Sequence, residues 1–312
     1  MSSDLFSSSR RSFLQSTAGL GSAAVLSPAA KAAPAPLPKV TFGKTEITRL
    51  IIGSNPLYGY SHFNPVLNAF MKEYMTDERR MEILHRAERA GINTWQLHYT
   101  KDTIADFKRY RAEGGKMNWF LLGHGDMMAD YSLAKDVAKL GPIGIAHHGS
   151  RTDDLFRNRQ MEKAKDFCKV VRDTGVMVGV STHNPAVVDF IEGAGWDIDY
   201  FMTCMYRVTR TLEESRQQFG EAPVGETYME KDPVRMTSMV RQTKRPCLAF
   251  KIFGAGRTIG NQQQVENSFK FVYENIKPTD AIIVGMCPKF KDEITENVGL
   301  AIKYGATPLH QS

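Results

Sequence analysis

Eight short apolar runs alternate with amphipathic segments along most of this chain. The runs are rich in branched and aromatic residues and lack the polar alternation of a strand with one wet face, so we expect strands buried on both sides. The predicted strands are residues 50–52, 94–98, 119–123, 143–146, 176–180, 200–204, 247–252 and 281–284. A hairpin-like stretch, residues 40–47, precedes them.

Helical periodicity fills the intervals between these runs. The predicted helices are residues 77–90, 103–113, 131–140, 158–174, 185–195, 232–243, 262–275 and 289–304. A strand followed by a helix, repeated eight times, predicts an α/β fold in which a closed parallel (β/α)8 TIM barrel forms a single domain over residues 39–312. The long segments 58–75 and 210–231 are expected to be loops that cover the barrel mouth.

Histidine ends four consecutive apolar runs, at His98, His124, His147 with His148, and His183. The carboxyl ends of neighbouring parallel strands lie side by side, so these rings should converge where α/β folds place their chemistry. Imidazole is a common ligand of divalent transition metals. We predict a metal site formed by a subset of His98, His124, His148, His183 and Asp126. Neutral histidines that hydrogen-bond a polyhydroxylated ligand would give the same pattern without an ion.

The first residues are predicted to direct export rather than to fold. Arg10 and Arg11 form the paired arginines of a Tat signal, and a short uncharged stretch, residues 16–26, follows them. A cleavage site at 30–32 and a Pro/Ala linker at 33–38 complete the segment. We therefore expect the Tat translocase to carry the folded protein to the periplasm or the exterior. The apolar stretch is far shorter than the roughly 20 residues that span a bilayer, so no membrane anchor is expected in the mature form.

Charge and cysteine content exclude some functions. The net charge of +6 falls to +4 when the predicted signal is removed, because it carries three positive residues and one negative residue. No basic block is interleaved with aromatic residues, so neither nucleic acid nor a membrane surface is expected as a partner. The four cysteines lack metal-type spacing and are predicted to be core residues.

Six segments together resemble the aldo-keto reductase family. They are residues 42–45, 90–93, 178–181, 196–200, 251–256 and 282–286, and they occur in the family's order over nearly the whole mature chain. The resemblance implies the same barrel fold. It also implies NADP as a cofactor, with the adenosine phosphates held by Lys289 and Lys291 after the eighth strand and by Arg257 in a glycine-rich turn.

The family's catalytic tetrad is only partly matched. Gln96 stands at the aspartate position, Lys101 at the tyrosine position and His124 near the lysine position, whereas His147 matches the family's histidine. Tyr99, with His98 or Lys101 beside it, is a possible substitute proton donor.

The sequence therefore predicts an enzyme that acts on a small polar carbonyl or polyol substrate, such as a sugar derivative, through the histidine cluster. Metal-assisted proton abstraction next to a carbonyl, in an isomerase or lyase, suits imidazoles. One alternative is a nicotinamide-dependent reductase that uses Tyr99 or His147 as its donor. Another is a binding protein without activity. Lys251 would be a Schiff-base nucleophile only if the barrel lowered its pKa, and the same lysine also fits the family's ordinary barrel pattern.

Overall fold

A computed structural model describes residues 35–306 of this 312-residue chain. An antiparallel hairpin, β1 (Lys39–Phe42) and β2 (Thr45–Thr48), precedes a closed barrel of eight parallel strands. The barrel strands are β3 (Leu50–Gly53), β4 (Thr94–His98), β5 (Asn118–Leu122), β6 (Gly144–His147), β7 (Met177–Thr182), β8 (Tyr200–Cys204), β9 (Cys247–Phe250) and β10 (Ala281–Gly285). They pair in chain order, and β10 closes the barrel against β3. The predicted fold class is confirmed.

Helices pack around the barrel, and most of them follow a strand and precede the next. They are α1 (Pro65–Tyr74), α2 (Asp77–Arg89), α3 (Lys101–Ala112), α4 (Leu133–Ala138), α5 (Gly149–Arg157), α6 (Glu162–Arg172), α7 (Pro185–Gly193), α8 (Leu212–Phe219), α9 (Asp232–Gln242), α10 (Gln262–Asn275) and α11 (Glu293–Gly305). Apolar residues three or four positions apart face the strands, such as Phe167 and Val171 of α6.

Two hydrophobic layers hold this architecture. The larger one lies between strands and helices, and the smaller one fills the barrel interior. Phe42 and Ile47 of the hairpin belong to the inner group, where the Phe42 ring lies 5.6 Å from that of Phe120. The hairpin comes directly before β3, so it covers the amino-terminal end of the barrel. The opposite end, where the strands lead into their loops, remains available for a site.

The two segments predicted as loops contain helices. Residues 58–75 include α1, whose start is fixed by Asn64, because its side chain accepts a hydrogen bond from the backbone of Leu67. Residues 210–231 include α8, which begins with a capping box between Thr211 and Glu214. Both caps satisfy backbone donors that a loop would leave to water. The expectation of unstructured loops was wrong at these two places.

The predicted Tat signal, residues 1–32, lies outside the described residues, so it stays a prediction, as does export. Within residues 35–306, no helix is long and apolar enough to cross a membrane.

Candidate active site

Three strand-end histidines form a continuous row at the barrel mouth. The ring centroids of His98 and His124 lie 5.4 Å apart, as do those of His124 and His148. His98 ends β4, His124 follows β5, and His148 follows β6, so the register of three adjacent strands brings these rings together. We call His98, His124 and His148 the histidine row.

Burial keeps two members of the row uncharged near neutral pH. It lowers the pKa of His98 to about 4, with a smaller contribution from His124. It also lowers the pKa of His148 to about 3, and the nearby His124 and His183 act in the same direction. A neutral imidazole donates through one nitrogen and accepts through the other, so these two rings can serve both roles at once.

Among residues 35–306, none of the hydrogen bonds of the row involves an Nε2 atom. His98 Nδ1 lies 3.1 Å from the Ser54 hydroxyl. The Nδ1 atoms of His124 and His148 are enclosed and have no hydrogen-bond partner among the described residues. An enclosed N–H group without a hydrogen-bond partner costs free energy. The neutral rings of His124 and His148 therefore favour the tautomer that carries its proton on Nε2 and leaves Nδ1 unprotonated. The row then offers N–H donors to the mouth.

His183 differs from the row because a buried carboxylate orients it. Its Nδ1 lies 2.9 Å from Asp153 Oδ2, and its backbone N–H donates to the same oxygen at 3.0 Å. A carboxylate only accepts hydrogen bonds, so Nδ1 carries a proton and, in the neutral ring, Nε2 carries the lone pair. His183 can therefore accept a proton beside a row that donates hydrogen bonds. Thr182 and Thr209 also donate to Asp153.

His147 lies away from the row although it adjoins His148. Its Nδ1 lies 2.7 Å from the Thr152 hydroxyl, and its ring packs 5.2 Å from that of Phe167 in α6. Successive residues of a strand point to opposite faces, so His147 enters the layer between barrel and helices. The structure therefore places the residue that matches the family's histidine in the core, where burial lowers its pKa to about 4.

The other predicted catalytic residues also lie outside the row. Lys101 is the exposed first residue of α3. Tyr99 is half-buried, and burial together with Asp126 raises its pKa. The structure gives no hydrogen bond from either side chain to the row within the described residues.

The predicted metal ligands do not form a ready coordination site. Asp126 is exposed in a short 3-10 helix, residues Gly125–Met128. Among residues 35–306, no group of three or more His, Cys, Asp and Glu side chains has an arrangement that could hold a metal ion. The donor set therefore does not fit a metal centre as it stands, and the predicted transition metal stays a prediction.

A mostly apolar cavity of about 260 Å³ is lined by residues that contact His98 and His183. Ser54, Tyr60 and Phe250 line it; Ser54 contacts His98, the Tyr60 ring lies 5.3 Å from the His98 ring, and the Phe250 ring lies 5.7 Å from the His183 ring. Gln96 also lines the cavity. Within the described residues, none of His98, His124, His148 and His183 lines this cavity, and Ser54, Tyr60 and Phe250 lie between it and the rings. His183 lines a separate cavity of about 340 Å³.

The cations predicted to bind phosphate have intramolecular partners. Lys291 forms an ion pair of 2.5 Å with Glu296. The Lys289 amine lies 4.0 Å from the centre of the Phe70 ring, and the Arg257 guanidinium lies 3.8 Å from that of Tyr228. A cofactor phosphate would have to compete with these contacts, and NADP binding stays a prediction.

Sequence reasoning missed Asp153 and Tyr60 at this site. Asp153 lies in α5, which the sequence pattern did not predict as a helix, and nothing in its local sequence marks it as a partner of His183. Tyr60 belongs to the segment 58–75, which the sequence predicted only as a loop covering the barrel mouth. Its contact with His98 depends on how that segment folds back over β4.

Comparison with known proteins adds evidence on the fold. No family model matches the sequence, and no curated protein matches it. An aldo-keto reductase from Bacillus halodurans is similar in structure, with a TM-score of 0.54, 10% identity and coverage of 88% of this chain and 93% of that one. The apo form of Gox0644 has a TM-score of 0.53 and 8% identity, with coverage of 89% and 96%. A glycerol dehydrogenase from Gluconobacter oxydans has a TM-score of 0.48 and 11% sequence identity, and the match covers 88% of this chain and 98% of that one. At this identity, the first two likenesses establish a shared barrel fold and nothing further.

Proposed function

We propose that this protein is an enzyme that abstracts a proton next to the carbonyl of a small polar substrate, such as a hydroxyaldehyde, hydroxyketone or sugar derivative. The observation that carries the proposal is the histidine row at the carboxyl ends of adjacent strands, continued by the His183–Asp153 pair. The cavity lies one residue away from these rings, behind Ser54, Tyr60 and Phe250. Pockets for drug-sized ligands have volumes of roughly 300–1,000 Å³. A cavity of about 260 Å³ suits a smaller molecule.

The chemical roles follow from the tautomers. His183 Nε2 accepts the proton from the carbon next to the carbonyl, because Asp153 holds the ring in the tautomer with a free lone pair. The Nε2–H groups of His124 and His148 donate to the carbonyl oxygen, where negative charge develops. Return of the proton to the neighbouring carbon gives isomerisation, and loss of a neighbouring hydroxyl gives elimination.

The test is uptake of solvent deuterium. Wild-type protein is incubated in D2O with a panel of trioses to hexoses, and exchange at the carbon next to the carbonyl is followed by proton NMR. We expect exchange with at least one compound, and a rate lower by about 100-fold or more in His183→Gln, since a positioned general base contributes roughly that much. His85→Gln is the matched control, because His85 lies on α2 and pairs with Glu113.

Two outcomes would contradict this proposal. One is exchange that proceeds equally well in His183→Gln. The other is binding of a panel compound, seen as a rise in melting temperature, without exchange. The second outcome would support a binding protein that has kept the barrel without its chemistry.

A nicotinamide-dependent reductase is the second candidate. The cavity favours it, because part of its lining comes from the segment after β10 and the start of α11, including Asn297. This is where the family resemblance implies that the cofactor is held. Tryptophan fluorescence during titration with NADPH tests this candidate, and a saturable change at micromolar concentration would support it over proton abstraction alone.

A further inference from the structure

Lys251 has an unusual backbone conformation for its residue type. It directly follows β9 and has a φ of 58°, in the left-handed region that favours glycine. Of the described non-glycine residues, only four have a positive φ: His62, Arg159, Lys251 and Ala255. Such strain persists when surrounding structure holds it in place, and it is concentrated at functional sites. In a barrel of parallel strands, the position after a strand is also where catalytic side chains lie.

The Lys251 side chain lines the cavity without a partner for its amine. Its neighbours in the lining include Phe250, Ile252 and Phe253. The structure gives Nζ no hydrogen bond and no ion pair with any residue in the described range. A lysine that serves as a structural counter-ion would contact a carboxylate, and Lys251 does not.

The titratable groups that face this amine come from three other parts of the fold. Glu226 lies in the segment after β8, Cys204 ends β8, and Arg257 follows β9. Glu226 is held by other groups: the Tyr228 hydroxyl donates to it at 3.0 Å, and His62 Nδ1 lies 3.4 Å away. Burial lowers the pKa of Lys251 and Arg257 acts in the same direction, whereas Cys204 and Glu226 oppose the change. Desolvation beside a second cation is a recognised way to make a lysine nucleophilic.

Two segments meet at this corner of the mouth. His62, after β3, meets Glu226, after β8, and Arg257 Nη1 donates to the His62 carbonyl at 3.2 Å. The Arg257 guanidinium also stacks on Tyr228. These contacts join the segments after β3, β8 and β9 beside Lys251.

We propose that Lys251 is an amine nucleophile that forms an imine with the carbonyl carbon of a small aldehyde or ketone bound in the cavity. The Nζ lone pair forms the new C–N bond while the C=O π electrons move to oxygen. The carbonyl oxygen then leaves as water with the two hydrogens of Nζ, and the second C–N bond forms. No oxidant or reductant takes part. The inference rests on the proposed function only for the class of substrate.

Reductive trapping tests this directly. Wild-type protein is treated with glycolaldehyde or hydroxyacetone and sodium cyanoborohydride at pH 7, and the modified peptides are mapped by mass spectrometry. We expect Lys251 to be labelled severalfold faster than the exposed Lys108, because a lowered pKa leaves a larger fraction of the Lys251 amine uncharged at pH 7. The rate at Lys251 should also reach its plateau at a lower pH than the rate at Lys108.

Two variants separate chemistry from folding. Lys251→Gly removes the amine at a position whose φ suits glycine, so it should keep the wild-type melting temperature and lose the fast label. Lys108→Arg should keep the fast label. Labelling of exposed lysines with Lys251 unmodified, or equal rates at Lys251 and Lys108, would overturn the proposal.

The trapping experiment and the deuterium experiment fail independently. His183→Gln should still be labelled at Lys251, since the two side chains are on different strands and the label requires only the amine and the carbonyl. Fast labelling without deuterium exchange would retain Lys251 as a nucleophile and reject the histidine mechanism. Deuterium exchange without labelling would retain the histidine mechanism and reject Lys251 as a nucleophile.

Discussion

Asp153 is the residue that organises one end of the barrel mouth. It is buried and accepts hydrogen bonds from the backbone and the ring of His183 and from the hydroxyls of Thr182 and Thr209. A charged acceptor surrounded by donors is stabilised without water. The arrangement therefore fixes both the position and the tautomer of His183.

Asp153→Asn should change this tautomer. The amide replaces one acceptor oxygen with a donor, so His183 loses its firm partner for Nδ1–H and its two tautomers become mixed. We expect activity lower by about 10–100-fold, as for other residues that orient a functional histidine. Long-range proton–nitrogen NMR of labelled protein measures the tautomer. An unchanged Nδ1–H signal together with reduced activity would reject this explanation, and His85→Gln is the control.

His147 and His148 show which features of single residues the sequence could predict. The apolar runs indicated where strands end, and strand order brought His98, His124 and His148 together. The direction of each ring depends on strand register, which moves a side chain to the opposite face when it shifts by one residue. A run that ends in two histidines leaves that choice open, so His147 was an equal candidate until its contact with Phe167 was known.

Among the elements, β6 and β7 accommodate a tyrosine from β8 inside the barrel. A Cβ atom added to Gly179 would lie 2.3 Å from Tyr200 Cζ, and one added to Gly144 would lie 2.7 Å from its Cε1. The Tyr200 ring therefore occupies the space that side chains at these two glycines would fill. The ring also packs against Phe42 and Phe120, which connects the hairpin to the barrel interior.

Gly179→Ala should destabilise the protein. The added methyl group meets an aromatic ring rather than the end of a flexible chain, and such overpacking costs about 1–3 kcal/mol. Tyr200→Leu in the same chain should recover part of this loss, because the smaller side chain makes room for the methyl group. Gly193→Ala at the end of α7, where a Cβ meets nothing within 4 Å, is the control. Urea denaturation measures all three, and equal stability of Gly179→Ala and wild type would refute the packing argument.

At the scale of elements, the sequence prediction missed two short helices. The alternation of apolar runs and amphipathic segments predicted the barrel strands, but α1 and α8 were treated as loops because their apolar faces are weak. α1 has no buried residue, and α8 buries only Ser215. Asn64 before Pro65 and Thr211 three residues before Glu214 are start signals that would have identified both helices.

For the whole molecule, buried histidines make the free energy of unfolding depend on pH. Burial lowers the pKa of His98 and of His147 to about 4 and that of His148 to about 3, against an ordinary value near 6.5. Between these values the unfolded chain binds protons that the folded protein does not. The free energy of unfolding therefore rises with pH across this window and falls as pH decreases from about 6.5 towards 4.

The expected slope is large enough to measure. Each histidine that is charged when unfolded and neutral when folded contributes up to about 1.4 kcal/mol per pH unit. Most Asp and Glu titrate below about pH 4.5, so urea denaturation between pH 6.5 and 5 emphasises the histidine contribution. Burial raises the pKa of Asp280 and of Glu293, which act in the opposite direction, so the comparison of variants identifies the histidine part. His147→Gln should reduce the slope, because glutamine does not titrate and can still hydrogen-bond Thr152. If His147→Gln kept the wild-type slope, His147 would have to be charged in the folded core, where its ring packs against Phe167. The argument that burial keeps the neighbouring histidines uncharged would then lose its main support.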